Sequence, residues 1–240
     1  MTTEYWSTIG TADLAIQDTG AGCDEKSMRK ADVNSFEDPL MLVVRCITKL
    51  HSVWISRTYP FISVGRGFSA HYTCDLPRAS AAHIKIGNGV RLHRGVSLNV
   101  VGTPTGREPV ITIENGCGLT RRCVISAKNR IVIGPNTGIA PCVLIRDHED
   151  ENVDDPGRQS GTAKGGTIRI EDGCWIGLRA KIICTEGELV IGKNSVIGSN
   201  SVVRKSIPPY SVVAGNPAWV IKHFNPSTQK WVMGPQLKTN

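Results

Sequence analysis

The sequence predicts an all-β protein wound as a parallel β-helix, and three regularities carry that reading. Aliphatic residues recur at six-residue steps: Ile86, Leu92 and Leu98; Ile113, Leu119 and Ile125; Ile133, Ile139 and Ile145; Ile170, Ile176 and Ile182; Ile191, Ile197 and Val203. Four residues after these positions stands a small or medium side chain, as in Val90, Val96, Cys117, Cys123, Thr137, Val143, Cys174, Ala180, Ser195 and Ser201. Directly after the aliphatic comes a small or turn-tolerant residue, most often glycine: Gly87, Gly134, Ala140, Gly177, Gly192 and Gly198. Neither the helical period nor the strand period produces a six-residue beat, whereas a repeat of one short strand and one corner does.

Three such hexapeptides close a coil, and successive coils stack at the inter-strand spacing of about 4.8 Å. Each aliphatic then points inward onto its equivalent one coil away, and the small residue fits the corner. The glycine after the aliphatic is expected to supply a positive φ where the bend requires it. A single coil buries little apolar surface, so several must stack before the array is stable.

In chain order, residues 1–59 form an N-terminal arm followed by an apolar packing segment. The first 39 are polar and aperiodic, and lack the pattern of a secretion signal. LMLVVRCITKLHSVWI, from Leu40 to Ile55, is apolar but interrupted by Arg45, Lys49 and His51. It falls short of the roughly 18 residues that span a bilayer. It reads as a helix or buried strand packing on the first coil, with an interfacial position on a membrane face as the alternative.

The β-helix domain is expected over residues 60–222, faint from Pro60 and clear from Ile86. Three breaks interrupt it. Asn99 to Pro109 reads as a loop leaving a corner; Arg146 to Gly166, rich in charge and glycine, is a longer ejected loop, the usual seat of function on a rigid scaffold; and the nine-residue step from Ile182 to Ile191 makes Cys184 to Glu188 a bulge. Residues 223–240 are a C-terminal tail.

The chain of 240 residues carries 28 basic and 21 acidic side chains, a formal +7 that suits either an anionic partner or an ordinary basic surface. Its eight cysteines form no CxxC pair, and Cys117, Cys123 and Cys174 fall in the small-residue register, which fits packing in a reducing, cytoplasmic setting. His71 with Cys74, and His148 with Cys142, are neighbours in sequence only, which does not establish an activated thiol.

The segments IGPNTGIAPCVLIRDHED, DGCWIGLRAKI and IGKNSVIGSNSVVRKSIPPYSVVAGNPAWVIK, in that order, closely resemble the hexapeptide-repeat O-acetyltransferases, which include the galactoside, maltose, nodulation and polysaccharide acetyltransferases. The resemblance covers about residues 84–223. It implies a left-handed parallel β-helix, a homotrimer, acetyl-CoA as donor, a saccharide acceptor, and neither a metal nor a nucleic-acid partner. It also implies that His148, at the start of the ejected loop, is the general base. Imidazole suits that role because it titrates near the working pH while an alcohol does not.

For the donor the resemblance implies contacts at Gly177 and Leu178 near the thioester end, at Ser199 along the pantetheine arm, and at Arg204, Lys205 and Lys222 toward the phosphates. On the acceptor side it implies Asp147 and Thr120, the latter where the family often has asparagine; Trp175 reads as a packing residue at a subunit interface. Two other classes stay open: a non-catalytic trimeric β-helix, and an acetyltransferase for a non-sugar acceptor. A zinc carbonic anhydrase would need a His-x4-His pair, which His51, His71, His83, His93, His148 and His223 do not form. A serine acetyltransferase would need a large helical N-terminal domain, which has no counterpart here.

Overall fold

The structure, a computed structural model, describes residues 39–102, 104, 106, 108–148, 165–225 and 227–234. The expected arm over residues 1–38, most of the ejected loop and the last six residues lie outside the described residues. The chain divides into two units, Met1–Val43 and Val44–Asn240. In the first, the described residues are the opening of helix α1 (Pro39–Thr58). The remaining described residues belong to the second.

Parallel strands arrange the repeat into three sheets. The first holds β1 (Ser63–Val64), β3 (Ile84–Ile86), β6 (Ile111–Ile113), β9 (Arg130–Ile133), β12 (Thr167–Ile170) and β15 (Glu188–Ile191). The second holds β2 (Ser69–Ala70), β4 (Arg91–Leu92), β7 (Gly118–Leu119), β10 (Gly138–Ile139), β13 (Trp175–Ile176), β16 (Val196–Ile197) and β18 (Ser211–Gly215). The third holds β5 (Ser97–Val100), β8 (Val124–Ala127), β11 (Leu144–Arg146), β14 (Lys181–Ile183) and β17 (Val202–Val203).

The six-residue register is a set of three core columns. Ile86, Ile113, Ile133, Ile170 and Ile191 pair in sequence down the first sheet. Leu92, Leu119, Ile139, Ile176 and Ile197 do so down the second, and Leu98, Ile125, Ile145, Ile182 and Val203 down the third. All of these side chains are buried. Each contributes about 1.5–3 kcal/mol by leaving water, so the interior holds the prism together and the backbone bonds run from coil to coil. The small register is buried as well, Val90, Cys117, Thr137, Cys174 and Ser195 among it.

The corners correct one expectation. Positive φ does not fall directly after the aliphatic but three residues after it, at Gly89, Gly95, Gly116, Arg122, Asn136, Cys142, Gly173, Arg179, Asn194 and Asn200. The glycine directly after the aliphatic serves close approach instead. At Gly177 an added Cβ would stand 2.6 Å from the Ile197 carbonyl oxygen and 2.7 Å from the Ser199 nitrogen, so only glycine lets the next coil lie this near.

All three sequence breaks leave from one edge, the corner running from the third sheet to the first. The segments 101–110, 147–166 and 184–187 each join a third-sheet strand to the next first-sheet strand. The longest is tied at its base, where the Gly166 N–H donates to the Asp147 carbonyl at 2.7 Å.

Both ends of the stack are closed. At the start α1 buries Ile55 in the core, and its Ser52 hydroxyl sits 3.1 Å from the Ala70 carbonyl oxygen while accepting the Ala70 N–H at 2.9 Å. The opposite helix face leaves Leu50, Val53 and Trp54 exposed, and no helix of the described residues is long and apolar enough to cross a membrane. At the far end β19 (Ala218–Asn225) pairs antiparallel with β18, and β20 (Lys230–Met233) with β19. The boundary expected at residue 222 thus falls inside a strand, because the tail continues the second sheet.

Candidate active site

The site is best read from Asp147 outward. Strand β11 ends at Arg146, and the backbone turns so that the Asp147 side chain folds back over the preceding coil, where it is wholly buried. Its Oδ1 accepts the Lys128 N–H at 2.7 Å, and its Oδ2 accepts the Asn129 and Arg130 N–H groups, both at 2.9 Å. Three successive amides converging on one carboxylate form an anion nest that fixes it in place. The buried charge is acceptable only because these donors replace water.

His148 follows directly and is 5% exposed. Its Nδ1 lies 3.1 Å from Asp147 Oδ1 and its Nε2 lies 3.4 Å from the Ser126 hydroxyl of β8. With both carboxylate oxygens acting as acceptors, Nδ1 carries the proton, which leaves the lone pair on Nε2. The imidazole is thereby held in one tautomer by a carboxylate that the scaffold itself immobilises.

Two sequence expectations take a different form here. Asp147, expected on the acceptor side, is buried with four bonding partners, one of them His148. His148 was expected as a loop side chain, and it is packed against the coil wall. Ser126 and the amides of 128–130 escape sequence reading because they lie 17–22 residues away and the amides carry no side-chain signature.

The residues expected to contact donor and acceptor lie along two edges and on β19. On the corner from the second to the third sheet, Leu178 and Ser199 are exposed and occupy adjacent coils, joined through the Asn200 N–H to the Leu178 carbonyl at 2.8 Å. Gly177 is buried, its N–H donating to Ile197 at 2.8 Å. Thr120 is half-buried on the same edge and donates its hydroxyl to the Ile139 carbonyl at 2.8 Å, leaving oxygen lone pairs for another donor. Arg204 and Lys205 are exposed on the other edge of the third sheet, the one His148 occupies. Lys222 lies in β19, with its ammonium 4.9 Å from the Trp231 ring centroid.

One chain therefore does not bring His148 to Leu178. At about 3.3 Å per residue, a third-sheet strand with its flanks sets the two edges roughly 15 Å apart. The heights do correspond: His148 stands beside the coil of Leu178, and Arg204 follows the coil of Ser199.

Three of the cysteines are inert by environment. Burial pushes the Cys117 and Cys174 thiols up to about 11, and Cys74 likewise to about 11. None of these is a thiolate at neutral pH, so none is a nucleophile.

No protein-family model matches the chain. Among curated proteins, one from Escherichia coli (strain K12), provisionally named the lipopolysaccharide biosynthesis O-acetyl transferase WbbJ, is 32% identical over 115 residues, covering 45% of this chain and 57% of that protein. One from Mycobacterium tuberculosis (strain H37Rv), provisionally named the acetyltransferase Rv3034c, is 30% identical over 171 residues, covering 69% and 51%. The chain thus spans about half the length of these relatives. Among solved structures, a maltose O-acetyltransferase from Clostridium difficile 630 superposes with a TM-score of 0.51 at 26% identity, over 79% of this chain and 90% of that one. AntD, an N-acyltransferase from Bacillus cereus solved with dTDP and 3-hydroxybutyryl-CoA, gives 0.57 at 18% identity, over 70% and 86%, a likeness of fold.

A three-sheet parallel prism built on the six-residue repeat is the fold this chain shares with these transferases. By its fold and these relatives the chain resembles the hexapeptide-repeat acetyltransferases.

Proposed function

We propose that the protein is an acetyl-CoA-dependent O-acetyltransferase acting on a saccharide hydroxyl in the cytoplasm, assembled as a homotrimer of left-handed β-helices with His148 as general base. The observation that carries the reading is the Asp147–His148 pair. With Nδ1 turned to the carboxylate, the neutral imidazole has Nε2 as its acceptor, as proton abstraction from an attacking hydroxyl requires. The alcohol oxygen attacks the thioester carbonyl, Nε2 takes its proton, and the thiolate of CoA leaves and is protonated. Asp147 touches no substrate in this scheme; it stabilises the imidazolium that forms.

The two edges support the homotrimer reading. A cyclic assembly with its axis along the prism keeps coil heights equal, so the His148 edge of one copy meets the Leu178–Ser199 edge of the next at the same level. In that arrangement Leu178 and Ser199 flank the thioester and pantetheine, while Arg204 and Lys205, with Lys222, offer charge to the phosphates. Exposed Leu178 limits that contact to its backbone and an apolar surface. Thr120 contributes its hydroxyl oxygen on the acceptor side.

The deciding experiment incubates the full chain with acetyl-CoA and a panel of saccharides, following thiol release and the mass of the products. An acetylated sugar with stoichiometric CoA supports the reading. An intact trimer that releases no CoA with any acceptor sinks it in favour of a binding role.

A further inference from the structure

The edge between the second and third sheets carries a charge pattern that the donor contacts do not use. Its turns, coil by coil, are 71–74, 93–96, 120–123, 140–143, 177–180 and 198–201, and none contains aspartate or glutamate. They contain Arg94, Arg121, Arg122 and Arg179. Backbone bonds stack these turns directly: the Arg122 N–H donates to Arg94 at 3.0 Å, the Cys142 N–H to Arg121 at 2.9 Å, and the Arg179 N–H to Pro141 at 3.0 Å.

Arg94, Arg121, Arg122, Pro141 and Cys142 line a cavity of about 290 Å³. The stem of Arg122 lies over Gly95, where an added Cβ would stand 3.5 Å from its Cγ. The ion pairs of the described residues lie elsewhere, on Lys85–Glu114, Arg130–Glu108, His148–Asp147 and Arg169–Glu188. Guanidinium groups one coil apart repel one another, and the carboxylate that follows the first of these turns, Asp75, accepts the Ser97 hydroxyl at 3.0 Å. The neighbouring imidazoles of His93 and His71 respond to the same field: burial, then Arg91 and Arg121, lowers the first, and burial, then Arg94, lowers the second.

We propose that the Arg94–Arg121–Arg122 pocket binds an anionic group, phosphate or carboxylate, of the acetyl acceptor, an inference that rests on the transferase reading above. Position selects acceptor over donor. Going toward the N-terminus along this edge, the expected donor contacts run from Ser199 at the pantetheine to Leu178 at the thioester, and the next turn is Pro141–Cys142 of the pocket. The pocket therefore lies past the reacting end of the donor, beside Thr120, at the height of His148 of the partner subunit. Small-molecule sites are about 300–1,000 Å³, so the cavity holds one charged group or sugar unit and leaves the remainder of the acceptor outside. Guanidinium forks match a tetrahedral or planar oxyanion in two-point contact.

The test uses inorganic pyrophosphate as probe, with calorimetry on the full chain, and does not need catalysis. The wild type should bind it. The Arg94→Gln/Arg121→Gln variant should bind about 10- to 100-fold more weakly, as loss of hydrogen bonds to a charged group implies. Arg122 is left in place because of its left-handed φ of 57°, and unchanged melting of the variant shows that it folds. Pyrophosphate should also slow iodoacetamide labelling of exposed Cys142, read by peptide mass spectrometry. In turnover, glucose 1-phosphate should exceed glucose in kcat/KM, and the ratio should collapse in the variant.

Absence of pyrophosphate binding overturns the pocket, as does undiminished binding in the variant. Binding lost in Arg204→Gln/Lys205→Gln but kept in Arg94→Gln/Arg121→Gln would place the anion with the donor and overturn the assignment. Equal turnover of neutral and charged sugars overturns the acceptor role. A chain that transfers no acetyl group but binds pyrophosphate through Arg94 and Arg121 fails the transferase reading and retains the pocket as an anion site.

Discussion

Asp147 Oδ1 lies 3.1 Å from His148 Nδ1 while the same carboxylate receives three backbone amides from 128–130. One side chain thus joins the scaffold to the base. The preceding coil's corner is shaped around a carboxylate, and the histidine inherits its orientation from that corner.

Replacing Asp147 should cost stability before it costs anything else. Asp147→Ala leaves three amides without their acceptor in a buried corner, at about 1–3 kcal/mol each, so a loss of about 3 kcal/mol or more is expected in urea unfolding. Asp147→Asn keeps one acceptor oxygen, and should lose less stability while still lowering kcat. An alanine variant as stable as the wild type would show that the nest is not formed in solution.

His148→Ala should lower kcat by about 10²- to 10⁴-fold, the usual contribution of a general base. Because His148 is packed and not projecting, a modest fall in melting temperature should accompany the loss. The affinity for acetyl-CoA should stay the same, measured by calorimetry on the variant. Near-normal turnover would place the base elsewhere.

Two glycines of the same repeat should behave differently. Gly177→Ala drives a Cβ to 2.6 Å from a carbonyl oxygen of the next coil and should destabilise by about 1–3 kcal/mol. Gly118→Ala meets nothing within 4 Å and has no positive φ, so it should be neutral. Thermal melting of the pair checks this, and equal losses would argue against the coil spacing described.

Stability should fall on the acid side through His93. Burial, with Arg91 and Arg121, holds its pKa below the ordinary 6.5 in the folded state. The unfolded chain therefore takes up the proton first, so this contribution is complete above about pH 6.5 and is lost as the pH falls toward the lowered value. His93→Gln should flatten the fall in melting temperature below about pH 6.5. An identical pH profile in the variant would remove His93 as the cause.

The three core columns were legible in the sequence because stacking imposes one side-chain size at one interval, and size is written in residue type. Ile170, Ile176 and Ile182 each sit where the six-residue beat puts them. The corners were less legible. Glycine at Gly177 answers a carbonyl of the next coil, a contact that local sequence does not record. Positive φ three residues after the aliphatic is met by arginine, asparagine and cysteine as well as glycine, so no composition marks it. His148 could be picked out by resemblance, whereas its support by Ser126 and three amides depends on chain brought back from the previous coil. The arginines of one edge do share a register, at two and three residues after Leu92 and Leu119. They become a cluster only once consecutive turns are stacked.

The closed ends of the stack bear on what this protein avoids. A parallel prism offers at each end a ring of strand edges with free amides and carbonyls, the shape onto which an identical prism could add without limit. Here Ser52 of α1 occupies the edge at Ala70, and the antiparallel β19 and β20 reverse the direction of the far edge in the second sheet. In that sheet an incoming copy would find neither a vacant bond at Ala70 nor a last strand of parallel polarity, which disfavours end-to-end addition there.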